Sequence, residues 1–155
     1  MERRDFLASG SSATALALAA ASGLTPAHAQ NAAGWNKAAF DTKSLADAAK
    51  AMGATSAPVE SKDLVLQAPE IAENGAVVRV GAQSNIANTS QISFVVEKNP
   101  SALAASFDIP AGTDASVATN IKMGQSSNVY ALAKAGDKFF YAVKEVKVTL
   151  GGCGG

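Results

Sequence analysis

The chain has very little of the chemistry that most catalytic and metal-binding sites require. It contains one cysteine, Cys153, and one histidine, His28, among 155 residues. His28 lies in a segment that is predicted below to be removed, so the mature protein has no histidine. Ordinary zinc sites, Cys/His nucleophile pairs and Ser/His/Asp triads are therefore excluded. The sequence predicts no catalytic residue, no metal site and no cofactor, and a protein that is not an enzyme.

An excess of charge is also absent. Thirteen basic and thirteen acidic residues give a formal net charge of zero. Two of each fall in residues 1–29, so the remaining eleven of each leave the mature protein neutral as well. There is no basic cluster of the kind that binds nucleic acid or attaches a chain to lipid, and no run of about 18 consecutive apolar residues. We expect neither nucleic-acid binding nor membrane insertion.

The N-terminus has the composition of an export signal. Arg3 and Arg4, followed by Phe6 and Leu7, lead into an uncharged stretch from Ala8 to Pro26 that is rich in Ala, Leu and Ser. Residues 27–29 read Ala-His-Ala, which fits an A-x-A cleavage site. We predict a twin-arginine signal over residues 1–29 and a periplasmic mature protein. The alternative is a general secretion signal in which the arginine pair is incidental.

The C-terminus carries the cysteine in a tail with no other functional side chain. Residues 150–155 read Leu-Gly-Gly-Cys-Gly-Gly. Glycine loses more conformational freedom on ordering than other residues, so Gly151, Gly152, Gly154 and Gly155 predict a flexible arm, residues 151–155, that displays Cys153. An unpaired cysteine in an exported protein indicates a disulfide to another chain or a reactive thiol. Nothing adjacent in sequence activates this thiol, which favours a group on which other proteins act.

One helix is predicted before the β-rich part of the chain. Residues Asp41–Met52 carry Leu45, Ala48, Ala49 and Met52 on one face, with Asp41 or Thr42 as N-cap and Gly53 as the stop. We expect Trp35 and Phe40 to pack this helix onto the rest of the protein. Residues 30–58 therefore form a predicted helical N-terminal segment; the alternative is a flexible, Ala-rich leader.

From residue 59 to residue 150 the pattern predicts an all-β domain. About seven strands, Asn-Gly and Ala-Gly-Asp turns at residues 74–75 and 135–137, and an Asn-Pro break at 99–100 favour an immunoglobulin-like antiparallel β-sandwich. Alternation is clear for Ile92, Phe94 and Val96, and for a face shared by Leu103, Ala105, Phe107 and Ile109. The predicted strands are Lys62–Ala68, Ala76–Ala82, Gln91–Lys98, Leu103–Ile109, Ala115–Met123, Ser127–Lys134 and Lys138–Leu150.

The last predicted strand changes phase part-way along. Its first half places Phe139, Tyr141 and Val143 on one parity, whereas Val146, Val148 and Leu150 fall on the other. A β-bulge or a change of sheet near Lys144 would reconcile the two halves. We expect this strand to hold the chain up to Leu150. At about 3.3 to 3.6 Å per extended residue, Cys153 would then reach about 10 Å beyond it.

The tail resembles the C-terminal end of the SoxY family, the sulfur-carrier subunits of the periplasmic sulfur-oxidising (Sox) system. Residues 68–78, 121–129 and 144–149 also look like the family's pattern, so the resemblance covers essentially the whole mature chain. Two positions depart from it. Arg79 stands where a proline is expected, and Asn120 stands where a basic residue is commoner. The departures leave the tail unchanged, and we expect any effect of them to fall on an edge strand or a partner contact.

The resemblance implies a carrier that is a substrate for other enzymes. Cys153 would hold covalent sulfur adducts, an S-thiosulfonate and persulfide-type species. The partners implied are a SoxZ-like subunit in a heterodimer, a haem-containing enzyme that couples thiosulfate to the thiol, a hydrolase that releases sulfate, and in some organisms a molybdenum sulfane dehydrogenase.

Three other interpretations fit parts of the sequence. Ubiquitin-like sulfur carriers also end in Gly-Gly, but they are intracellular proteins of a different fold. Prenylation requires the cysteine four residues from the end, and Cys153 is third from the end. The remaining alternative is an exported β-sandwich interaction module whose tail cysteine forms an intermolecular disulfide.

Overall fold

The described chain begins with two short helices. The structure is a computed structural model that describes residues 36–149, and all structural statements concern these residues. Helix α1 spans Lys37–Phe40 and helix α2 spans Leu45–Ala51. The Ser44 side chain caps α2 by accepting a hydrogen bond from the Asp47 amide, and Gly53 follows the helix at a φ of 96°. The stop at Gly53 is confirmed, but the predicted start is wrong: Ser44, and neither Asp41 nor Thr42, is the N-cap.

The helices pack on the β-sheet through the predicted face. Ala48 and Ala49 are buried, and Leu45 and Met52 lie against the same apolar clusters. Phe40 also packs there, as expected, whereas Trp35 lies outside the described residues. Because these side chains are buried against sheet residues such as Leu132, the helical part of residues 36–58 is an integral layer of the fold and not a flexible leader.

Nine strands follow. All seven predicted strands are present with shifted ends, and the structure adds two strands of two residues each. In chain order the strands are β1 Val59–Glu60, β2 Leu64–Gln67, β3 Ile71–Ala72, β4 Val78–Ser84, β5 Thr89–Val96, β6 Leu103–Asp108, β7 Ser116–Ile121, β8 Ser127–Ala135 and β9 Lys138–Val148. Strands β1 and β3 cannot be predicted from the sequence, because two residues are too few to show a periodic pattern.

The strands form two packed sheets. One has the order β1-β9-β8-β5-β6, with β3 also paired to β9, and the other has the order β2-β4-β7. All long pairings are antiparallel, and only β1 and β3 run parallel to β9. The predicted all-β sandwich with a short N-terminal helical part is confirmed. Between β1 and β3 the chain crosses to the smaller sheet as β2. Strand β9 pairs with β1 and β3 and also contacts β2, so it touches three successive strands.

The space between the sheets holds the main core. It takes Val78, Val80 and Ile121 from the smaller sheet and a larger set from the other sheet, with Phe94 and Ile92 fully buried. Complete burial of such side chains stabilises a fold by about 1.5 to 3 kcal/mol each. The Phe94 ring meets the Phe107 ring edge to face at 6.4 Å between centroids. The predicted inward face of β5 is thus confirmed.

Strand β9 is continuous, and the bulge expected near Lys144 is absent. Its pairing with β8 runs without a shift from Lys138 to Val146, within one sheet. The change of phase has another cause: both faces of the large sheet are covered. Phe139 and Tyr141 pack toward the helices, while Ala142, Val146 and Val148 pack into the space between the sheets. The helices cover β9 only along its first half, at Phe139 and Tyr141; further along the same face Val143, Glu145 and Lys147 are exposed, so the apolar residues continue only on the face toward the other sheet.

A bulge occurs instead in β6. Phe94 pairs with Ala105, but the next residue, Val95, pairs with Leu103, so Ala104 is the extra residue. Leu103 consequently packs with the helix-side cluster, whereas Ala105 and Phe107 pack between the sheets. The predicted single face for Leu103, Ala105, Phe107 and Ile109 is therefore wrong at Leu103.

The Asn74-Gly75 turn does not join a hairpin. It connects β3 to β4, and these two strands belong to different sheets. The Asn74 side chain accepts a hydrogen bond from the Ala76 amide at 2.9 Å, a local turn bond typical of asparagine. The short turn predicted at residues 135–137 is present: Gly136, at a φ of 60°, and Asp137 form a two-residue hairpin loop between β8 and β9.

Candidate functional site

The predicted site residues lie beyond the described part of the chain. This holds for Cys153, for the arm glycines at positions 151, 152, 154 and 155, and for Arg3, Arg4, Phe6 and Leu7 of the export signal. The roles assigned to them stay predictions. The described part of the site is the end of β9 together with Thr149, that is residues 146–149, from which the sequence continues to Cys153. We call these residues the arm base.

Backbone hydrogen bonds hold the arm base from both sides. On one side the Lys147 amide donates to the Glu70 carbonyl at 2.9 Å, and the Thr149 amide donates to the Ala72 carbonyl at 3.1 Å. On the other side the Val148 amide donates to the Ser126 hydroxyl at 2.9 Å. The strand is therefore fixed to its last residue, and the hold extends one residue past β9, to Thr149. Leu150, the predicted last anchored residue, is outside the described range.

Gly75 lets three segments meet at the arm base. Its carbonyl accepts from the Met123 amide at 2.7 Å. A Cβ atom at this position would stand 2.5 Å from the Met123 carbonyl oxygen and 2.9 Å from Val148 Cγ1. No side chain fits such a space, so glycine is required for packing. The sequence indicates a turn at Asn74-Gly75. It carries no signal for the contact of Gly75 with Met123 and Val148, because these residues are far apart in the chain.

Among residues 36–149, neither an ion pair nor a cluster of metal ligands lies at the arm base. Of these residues, Lys37 and Asp41 form an ion pair at helix α1, away from the arm base. Nowhere in this range do three or more His, Cys, Asp or Glu side chains cluster so as to hold a metal ion. Neither α1 nor α2 has the length and apolarity needed to cross a bilayer. The described residues at this end hold the strand from which the sequence continues to Cys153.

The surroundings of Tyr130 in β8 shift its pKa. Burial raises the pKa of Tyr130 above its usual value of 10.0, and the Glu97 carboxylate raises this pKa further, while a hydrogen bond with Asn128 opposes the shift and Tyr141 adds to it slightly. The Tyr130 and Tyr141 rings are in edge contact at 5.9 Å. The raised pKa keeps the Tyr130 phenol neutral at physiological pH.

Comparison with known proteins shows similarity to the sulfur oxidation protein SoxY. Residues 48–153 match the family model for sulfur oxidation protein SoxY. The structure of the sulfur carrier protein SoxY from Chlorobium limicola f thiosulfatophilum is 38% identical, with a TM-score of 0.59, and the match covers 67% of this chain and 96% of that one.

A second solved structure is far less similar. The neutron crystallographic structure of a Jonesia denitrificans lytic polysaccharide monooxygenase is 18% identical, with a TM-score of 0.36, over 48% of this chain and 54% of that one. Similarity at this level carries no argument about function. No curated protein sequence matches the chain.

Proposed function

Because this chain belongs to the SoxY family of sulfur oxidation proteins, we propose that it carries sulfur intermediates covalently on Cys153. The observation that supports this most directly is the extent of the family match, which runs through the β-sandwich and on to residue 153, the position of the only cysteine. A mature chain with no histidine and one thiol has no other residue suited to holding sulfur through a covalent bond.

The proposed chemistry begins with oxidative coupling. The Cys153 sulfur forms a bond to the sulfane sulfur of thiosulfate, two electrons pass to a haem-containing partner, and the thiol proton is released. The product is an S-thiosulfonate that carries one negative charge on its sulfonate group. Hydrolysis by a second enzyme then breaks the bond between sulfane and sulfonate sulfur. Water supplies the fourth oxygen of the released sulfate and the proton of the persulfide that remains on Cys153, and its second proton is released.

The chain's own contribution is presentation and not catalysis. A covalent link keeps a small charged intermediate at high effective concentration for each successive enzyme. The arm base fixes the point from which residues 150–155 continue, through the bonds at Lys147, Val148 and Thr149. Glycines beside the thiol add no side-chain bulk to a segment that enters the clefts of other proteins. A molybdenum-containing sulfane dehydrogenase, where present, would oxidise the remaining sulfane sulfur.

The test of this function is Cys153→Ser. We expect the variant to fold and to pair with its partner subunit, because residue 153 lies beyond β9, but to support no thiosulfate oxidation in a reconstituted system. Intact mass measurement should show sulfur adducts on the wild-type chain and none on the variant. Sulfur-compound turnover by the variant would exclude the carrier role. A wild-type chain found only as a disulfide dimer would favour an interaction module.

We also propose export by the twin-arginine route, on the basis of Arg3, Arg4, Phe6 and Leu7. Replacing both arginines with lysine should retain the precursor in the cytoplasm, as measured by cell fractionation. Mature protein in the periplasm of that double variant would assign the signal to general secretion. Since the twin-arginine route carries folded cargo, the proposal also allows a partner subunit to cross together with this chain.

A further inference from the structure

A groove that extends from the smaller sheet to Lys144 of β9 holds two cationic side chains. It has a volume of about 560 Å³, and its lining includes Gln67, Arg79, Gly81, Ala118 and Lys144. We call it the basic trough. No acidic residue is among the described residues that line it. Another groove, about 480 Å³ in volume, contains Asp114 and no cation, and it lies at the end of the sandwich where β4 terminates.

The floor of the trough consists of small residues beside the Gln67 side chain. Gly81 is buried, and a Cβ atom there would meet Gln67 Oε1 at 3.4 Å and the Val117 carbonyl oxygen at 3.5 Å. Ala118 pairs with Gly81 across the sheet, so two small residues lie side by side. A narrow space with a flat floor suits an extended segment that has little or no side chain.

The two cations are placed differently. The Lys144 ammonium donates to the Ala68 carbonyl at 2.7 Å, which fixes it at the rim while leaving two of its protons for another acceptor. Arg79 is exposed and projects from the outer face of β4, opposite Asn120. Neither cation forms an ion pair with another described residue. Together they offer charge-assisted hydrogen bonds to an anion, and arginine can offer two in parallel to a sulfonate.

The trough is within reach of the C-terminal residues. Gly75 contacts Val148, and Arg79 follows Gly75 by four residues, while Lys144 precedes Val148 by four residues. Cys153 follows Thr149, the last residue held by β3, by the same number of residues. At about 3.3 to 3.6 Å per residue, each of these segments spans at most roughly 13 to 14 Å. If the chain turns back from Thr149, Cys153 can therefore lie as far from Thr149 as Arg79 lies from Gly75 and as Lys144 lies from Val148.

We propose that the basic trough is the docking site of this chain's own C-terminal residues 151–155 when Cys153 is loaded. The sulfonate of the adduct binds between Arg79 and Lys144, and the glycines lie along the floor at Gly81 and Ala118. This proposal rests on the proposed function, because only a loaded Cys153 carries the sulfonate. The unloaded thiol lacks that charge and docks more weakly. The loaded intermediate is thus held on its own carrier until a partner enzyme competes for it.

Labelled protein tests this proposal without any enzyme. In the full mature chain, in whatever complex it purifies, Cys153 reacts with 2-sulfonatoethyl methanethiosulfonate. The thiolate forms a disulfide to the reagent sulfur and methanesulfinate leaves. Hydroxyethyl and trimethylammonium-ethyl reagents give matched neutral and cationic labels. We expect the sulfonate label alone to shift the NMR signals of the Gly81 and Ala118 amides and of the Arg79 side chain.

Charge removal provides the control. Arg79→Gln with Lys144→Gln should reduce the docked population about tenfold or more, the scale of a lost charge-assisted hydrogen bond. Lys62→Gln with Lys138→Gln removes the same charge from exposed positions outside the trough and should change nothing. Raising salt from about 0.1 M to about 1 M should weaken the shifts, because screening shortens from about 10 Å to about 3 Å.

Three results would overturn the docking. They are equal shifts from the neutral label, shifts that survive Arg79→Gln with Lys144→Gln, and shifts that grow with protein concentration, which would place the arm on a second copy. Failure of the carrier function itself would appear elsewhere, as the lack of any sulfur adduct on Cys153 in protein from cells that oxidise thiosulfate. That result would leave the behaviour of the labelled protein unchanged.

Discussion

At the residue scale, the absence of a side chain at one position fixes the arm base. Gly75 packs against the Met123 backbone and Val148 at distances that no Cβ atom tolerates. Its conformation is not the reason, since its φ is not among the positive values of the described chain. The requirement is steric, and it connects the β3–β4 turn, the loop after β7 and the end of β9.

Gly75→Ala should therefore destabilise the protein. The added carbon would stand 2.5 Å from a backbone oxygen, so backbone must move, and we expect a loss of about 1 to 3 kcal/mol in the free energy of unfolding. Gly124→Ala is the matched control. Its nearest neighbour would be 4.0 Å away, and we expect a change within about 0.5 kcal/mol. Urea unfolding of both variants measures the difference, and equal stabilities would contradict the steric argument.

At the element scale, β9 has two structural roles. It is the longest strand, with 11 residues, and it pairs with β8 on one side and with β1 and β3 on the other. Its two faces contribute to the helix-side cluster and to the core between the sheets. The strand that completes the sandwich is therefore also the strand that leads to Cys153, so the arm base is as stable as the fold.

Replacing Gly151 and Gly152 together with valine should separate the arm from the fold. Branched side chains add bulk and restrict the backbone, so enzymatic loading with thiosulfate should fall by orders of magnitude, tenfold for each 1.4 kcal/mol of added barrier. Thermal stability should change little, because both positions lie beyond Val148, where β9 ends. Labelling of Cys153 by a small thiol reagent serves as the control and should proceed as in wild type. Loading at the wild-type rate would show that the composition of the arm is incidental.

At the scale of the whole molecule, the sequence indicated the long strands but not their three-dimensional relations. Alternation in β5 predicted its inward face because one clear period was present. In β9 apolar residues occur at both parities, and sequence alone could not distinguish a bulge from a strand whose helix-side face is covered along only half of its length. The bulge at Ala104 leaves no local signal, and neither does the contact of Gly75 with Val148, because each depends on a partner distant in the chain. Cys153 could be selected from composition, whereas the arm base that precedes it could not.

The family also predicts an assembly larger than this chain. We expect a stable heterodimer with a SoxZ-like subunit, because a carrier must be presented in a fixed orientation and the sandwich leaves strands such as β6 and β7 paired on one side only. Sedimentation of the co-expressed proteins at micromolar concentration should show a one-to-one complex. Cys153→Ser should pair equally well, which distinguishes non-covalent assembly from a disulfide. A functional monomer that ignores added partner would contradict this expectation.

The double-sided hold on β9 also has a mechanical consequence. An enzyme that binds the residues after Thr149 and then moves exerts force on the end of this strand. When the force acts along the strand, the hydrogen bonds to β8 and those of Lys147 and Thr149 to the β3 segment are loaded together in shear. Bonds loaded together share the force, whereas bonds peeled from one end break one at a time. In the proposed carrier role, the terminus can in this way be pulled repeatedly without the sandwich unravelling from that end.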